Sequence, residues 1–154
     1  MRVEDILRTK SARLITISQG ASMQEAAGMI SSERVGMLLV VDDWRELVGL
    51  LSERDVSCFV AMKGAEALRL PVSAAMSDPW LIATPEQPVT DVMRVMTKER
   101  VRHMPVMSDG NLIGVISIGA ILRSRLAEKD PEAAVLLDHV GDPRLLFGLA
   151  SVCH

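Results

Sequence analysis

The chain has 154 residues, 49% of them hydrophobic and 24% charged, enough apolar surface for one domain or two small halves sharing a core, and too little length for a multidomain enzyme. Twenty acidic and seventeen basic side chains leave a formal net charge of −3, with aromatics at 3% and no tyrosine, so neither a basic field nor a stacking surface for nucleic acid is expected. Unbroken apolar stretches such as Gly36 to Val41 are far short of the roughly 18 residues a membrane span needs, and Glu4 and Asp5 stand where a signal peptide is apolar; a cytoplasmic protein without a membrane partner is expected.

In chain order, a short helical lead-in starts at Val3, and a strand is predicted over Leu14 to Ile17. Ser22 with Glu25 three residues on forms a capping box, and Met23, Ala26, Ala27 and Ile30 share one helical face. Two apolar runs, Met37 to Val41 and Leu47 to Leu51, predict a hairpin with Trp44 in its loop. Ser52 then caps a helix over Glu53 to Met62. After a spacer, Lys63 to Leu70, a second lead-in begins at Val72 and a strand is predicted over Trp80 to Ala83. Pro88 suits a first helical position, followed by the stripe Val89, Val92, Met93 and Met96. A hairpin of Met104 to Met107 and Leu112 to Ile116 turns at Asp109-Gly110, and Ser117 caps a helix over Ile118 to Leu126. Further on, Pro131 to Val140 reads as a helix, broken by Gly141-Asp142-Pro143 before an apolar tail, Leu145 to Val152.

The two halves are one text written twice. Glu33, Arg34, Val35, Val40 and Asp43 recur 66 positions later as Glu99, Arg100, Val101, Val106 and Asp109; Leu47, Gly49 and Ser52 recur 65 later as Leu112, Gly114 and Ser117. The fold class is therefore α+β, built from two βαββα units. The boundaries fall at 1–66 for the first repeat with its lead-in, 67–127 for the second, and 128–154 for a C-terminal extension.

A doubled βαββα frame carrying "GLLSERD" (Gly49 to Asp55) after one hairpin and "RHMPV" (Arg102 to Val106) in the other closely resembles the cystathionine-β-synthase (CBS) domain pair, or Bateman module, over about residues 1 to 127. The resemblance implies two units related by a pseudo-twofold axis, pairing into flat homodimers, and adenine nucleotides such as AMP, ADP or ATP, or related adenosyl ligands, bound between the repeats. No further cofactor is implied.

The residue chemistry fits that implication. A carboxylate presents two acceptor oxygens to the two hydroxyl donors of a ribose, which suits Asp55, with Ser52 one helical turn earlier offering a hydroxyl. The helix amides that follow Ser52 attract anions. Arg102 and His103 supply a planar fork and an imidazole for phosphate. By resemblance, Val35, Gly36 and Met37 at the hairpin entry and Ser11 line the adenine slot. The second repeat keeps Ser117 but has Ala120 in place of Asp55, and the first has Gly36 and Met37 in place of Arg102 and His103. The resemblance implies clefts that join the Asp motif of one repeat to the basic hairpin of the other, so one composite site, Ser52 and Asp55 with Arg102 and His103, is expected, hence one nucleotide per chain.

Other readings stand beside this one. Ser52 and Asp55 also satisfy a capping box that needs no ligand, and Arg102 and His103 suit an exposed hairpin edge. His139 and His154 lack thiol or acidic partners at metal spacing, and Cys58 and Cys153 form no CxxC pair, so no metal is expected. No nucleophile elbow, HExxH motif or P-loop is present, so the chain is read as a non-enzyme with an unidentified protein partner. The alternative function is a structural homodimerisation module without a nucleotide.

Overall fold

The computed structural model describes residues 1–9 and 14–130; Ser11, the expected helix over 131–140 and the apolar tail lie outside them. The elements run α1 (Val3–Thr9), β1 (Thr16–Ser18), α2 (Met23–Glu33), β2 (Met37–Val41), β3 (Leu47–Ser52) and α3 (Glu53–Lys63). The spacer is a 3-10 helix, Gly64–Arg69, and the second lead-in a single 3-10 turn, Val72–Ala74. There follow α4 (Val89–Glu99), β4 (His103–Ser108), β5 (Asn111–Ser117) and α5 (Ile118–Lys129). In the first repeat β1 runs parallel to β2, which pairs antiparallel with β3; in the second, β4 and β5 form the antiparallel hairpin.

The strand expected over Trp80 to Ala83 is absent from the second repeat, and one proline explains why. Ala83 forms a lone parallel bridge to Val106, its amide donating to the Pro105 carbonyl at 2.9 Å and its carbonyl accepting from Met107 at 2.9 Å. In the first repeat the ladder continues, because the Leu39 amide donates to the Ile15 carbonyl at 3.0 Å. The equivalent of Leu39 is Pro105, which has no N–H to give to Leu81, so the ladder stops after one bridge. Pro88 is likewise the cap residue of α4, with no side-chain cap bond, and the helix starts at Val89.

Local chemistry sets the remaining boundaries. Asp109 and Gly110, with φ of 50° and 77°, make the tight turn of the second hairpin. In the first, Asp42 Oδ1 accepts from the amides of Trp44 and Glu46, both at 2.9 Å, and holds Arg45 at a φ of 66°. At α2, the Glu25 carboxylate accepts the Ser22 amide at 2.8 Å while the Ser22 hydroxyl accepts the Glu25 amide at 3.2 Å. That Ser22 amide, then the Ser22 hydroxyl, holds the Glu25 carboxyl below its ordinary value of 4.5. A depressed folded-state value stabilises the protein above the unfolded value and is lost as pH falls through the folded one. Glu25→Gln is therefore expected to flatten the acid limb of stability below about pH 4.5, read as urea midpoints at pH 3 to 6.

Two apolar clusters form, one per repeat, and each incorporates the other repeat's lead-in. Val3 and Ile6 of α1 are buried with Val89, Val92, Met96, Val106, Ile116 and Ile121 of the second repeat. Val72 is buried with Met23, Leu38, Val40 and Leu51 of the first. Backbone bonds fix both exchanges: Val3 N to Gln87 O at 3.1 Å, and Val72 N to Ala21 O at 2.8 Å. Two equivalent glycines make room. A Cβ on Gly114 would lie 2.8 Å from Leu7 Cδ2, and one on Gly49 would lie 2.5 Å from Met76 Sδ, closer than real side chains approach. Each repeat's core is thus closed by residues placed before the other, the reciprocal exchange a pseudo-twofold relation produces.

Candidate functional site

The site begins where β3 runs into α3. Ser52 is the cap residue in extended conformation, and its hydroxyl accepts the Asp55 amide at 3.1 Å. Asp55 Oδ2 accepts both the Ser52 amide at 2.8 Å and the Ser52 hydroxyl at 2.7 Å. The capping box is therefore complete, worth about 1 kcal/mol to the helix. It occupies one carboxylate oxygen. Oδ1 has no hydrogen bond among the described residues, and one carboxylate oxygen has two lone pairs with which to accept. Capping and a second acceptor function coexist in this geometry.

The sheet brings the hairpin entry to the same place. Met37 faces Ser52 in register, and the Glu53 amide donates to the Gly36 carbonyl at 3.1 Å. The second repeat repeats both features: His103 faces Ser117, and the Ile118 amide donates to the Arg102 carbonyl at 3.0 Å. The two hairpins then meet at Gly36. A Cβ there would stand 3.1 Å from His103 Cε1, 3.2 Å from His103 Nε2 and 4.0 Å from Glu53 Oε1. With no side chain at 36, the imidazole of the second repeat lies against the backbone of the first, beside the start of α3.

Gly36, Met37, Ser52, Asp55 and His103 thus collect around one end of the first hairpin. Val35, half-buried, packs on the first core. Arg102 is exposed, next to His103 in sequence, and its guanidinium makes no ion pair or hydrogen bond among the described residues. Ser11 is outside the described residues. The expectation of an anion-attracting α3 terminus is changed by the geometry. Of its first three amides, that of Glu53 is given to Gly36 and that of Asp55 to Ser52. An anion there would have the Arg54 amide and otherwise side chains to rely on.

Two residues of this neighbourhood were not singled out from the sequence. Glu53 follows Ser52 and shares Gly36 as a neighbour with His103. Ser77 pairs antiparallel with Leu50, both backbone bonds at 2.9 Å, and its hydroxyl donates to the Leu50 carbonyl at 3.3 Å. The signal for Ser77 was available, since it stands 66 positions after Ser11. In the second repeat, the Ser117 hydroxyl accepts the Ala120 amide at 3.2 Å, but Ala120 is buried and returns nothing.

Among the described residues no three His, Cys, Asp or Glu side chains are grouped to hold a metal, and no helix is long and apolar enough to cross a membrane. Cys58 is exposed and not disulfide-bonded.

Comparison with known proteins supplies the family. The CBS domain model matches twice, at residues 3–61 and 72–127. The chain is similar to the crystal structure of a CBS-domain containing protein from Agrobacterium tumefaciens, at 34% identity and a TM-score of 0.78, over 80% of this chain and 92% of that one. It is similar to the CBS domain-containing protein YhcV of Bacillus subtilis, at 25% identity over 82% of this chain and 89% of that protein. It is also similar to a CBS domain protein from Pyrobaculum aerophilum solved in complex with AMP, at 25% identity and a TM-score of 0.69, over 78% of this chain and 89% of that one. Three further relatives are longer, the match covering 19% to 56% of their length. With two matched copies, each completed by the other's lead-in, the chain belongs to the CBS-domain family and is a CBS pair.

Proposed function

We propose that this CBS pair is a regulatory module, not an enzyme, that binds one adenosine-containing nucleotide per chain in a cleft between its repeats. Asp55 Oδ1 accepts from the ribose hydroxyls and Ser52 contributes its hydroxyl. Arg102 and His103 hold phosphate, and Val35, Gly36 and Met37, with Ser11, border the base. The repeats extend over 1–66 and 67–127, followed by an extension, 128–154, and the module works in the cytoplasm as a homodimer on an unidentified protein partner.

The observation that carries this reading is the meeting at Gly36. It sets the imidazole of one repeat beside the α3 start of the other, whose Asp55 retains an unbonded oxygen. The AMP complex of the Pyrobaculum protein supports the ligand class. A ligand touching both repeats stabilises the arrangement in which both reach it, and that difference in affinity between arrangements makes a ligand a signal. In thermal unfolding, AMP at a hundredfold excess over its dissociation constant is expected to add about 2.7 kcal/mol to the folded state. No shift with AMP, ADP or ATP would overturn the proposal. A second reading, a structural homodimer without nucleotide, is favoured by apolar side chains exposed on the helices, Met62 at 77% and Leu122 at 49%. It predicts stability that rises with protein concentration and ignores nucleotides.

A further inference from the structure

The cleft proposed above has an acidic guard. Glu53 opens α3, its amide held by the Gly36 carbonyl at 3.1 Å, and its carboxylate approaches the same face of Gly36 against which the His103 ring lies. Arg54, one residue on, sits 100° further round the helix and cannot occupy the same direction. The α3 terminus offers little compensation, because two of its first three amides are already bonded within the protein. Glu53 itself supplies the negative charge that the helix dipole favours at this end. Phosphate charge in the cleft therefore has Arg102 and His103 in its favour and Glu53 against it.

We infer that Glu53 is a specificity-determining residue that makes the cleft select an adenosine ligand carrying a single phosphate over the di- and triphosphate. The inference rests on the nucleotide reading above. One phosphate is matched by the Arg102 and His103 pair; each further phosphate adds negative charge near a carboxylate that no ion pair among the described residues neutralises. A unit charge at about 7 Å in a solvent-exposed setting changes affinity by about threefold, so two additional charges give about three- to tenfold.

The test is a calorimetric series with adenosine, AMP, ADP and ATP, without magnesium, on the full chain and on Glu53→Gln. Expected is an affinity that falls from AMP to ADP to ATP, with the AMP-to-ATP affinity ratio reduced about three- to tenfold in Glu53→Gln. Unfolding midpoints of both proteins check that the substitution leaves the fold intact. ATP bound more tightly than AMP by the natural chain, or an affinity ratio unchanged by Glu53→Gln, overturns the role of Glu53 while leaving a nucleotide site standing. Absence of binding by all four ligands overturns the nucleotide reading and this inference together.

Discussion

Asp55→Ala is expected to lower AMP affinity by about a hundredfold or more and to cost the fold about 1 kcal/mol at the same time. The first effect follows from removing two charge-assisted bonds to the ribose, each worth about 1.5–3 kcal/mol. The second follows from the cap: Oδ2 accepts both the amide and the hydroxyl of Ser52, and both lose their partner. Because both roles sit on one carboxylate, alanine alone does not separate them, whereas Asp55→Asn does. Asparagine keeps the shape and one carbonyl oxygen for the Ser52 amide, yet replaces the other oxygen with a donor that opposes the ribose hydroxyls. Its unfolding free energy is expected to stay within about 1 kcal/mol of the natural protein while AMP affinity still falls more than tenfold. Calorimetry paired with urea unfolding measures both. An Asp55→Asn protein that binds AMP as the natural one does would reduce Asp55 to a helix cap.

Ile6→Ala is expected to destabilise the protein by about 2–5 kcal/mol, with the damage in the repeat that does not follow it directly. Ile6 is 3% exposed and lies with Val89, Met96, Val106, Ile116 and Ile121, all from the second repeat. Amide hydrogen exchange locates the loss. Protection should fall first in α4, β4, β5 and α5, while β2, β3 and α3 keep theirs. Val72→Ala should show the converse, since Val72 is buried in the first core. Loss of protection confined to α2, β2 and β3 in Ile6→Ala would contradict the exchanged lead-ins.

Much of this architecture was legible because local signals agreed with one another. The Ser22–Glu25 box and Asp109-Gly110 each name a structure that needs only neighbouring residues, the recurrence doubles each signal, and the two hairpins, α2 and the second turn formed as expected. What was not legible depends on partners distant in sequence. A strand at Trp80 to Ala83 looks as good as one at Leu14 to Ile17 until its neighbour turns out to be Pro105 rather than Leu39. An amphipathic lead-in announces an apolar face, and nothing in Val3 or Ile6 says which core receives it. Of the proposed site residues, Ser52 and Asp55 stand in the segment Gly49 to Asp55, and Arg102 and His103 in the segment Arg102 to Val106, the two pieces that carry the resemblance to the family. Glu53 was passed over because an acidic residue in a helix's first turn has a sufficient reason to be there. Only the approach of the His103 ring to Gly36 makes its position informative.

The central claim is one composite nucleotide site in each chain, and the stoichiometry of AMP binding tests it most directly. Titration calorimetry on the full chain, freed of co-purified nucleotide, is predicted to give saturable binding at one AMP per chain, weakened about a hundredfold or more in Asp55→Ala. Two AMP per chain would mean that the cleft with Ser117 and Ala120 still binds without its carboxylate. No binding in a demonstrably folded protein would contradict the account outright.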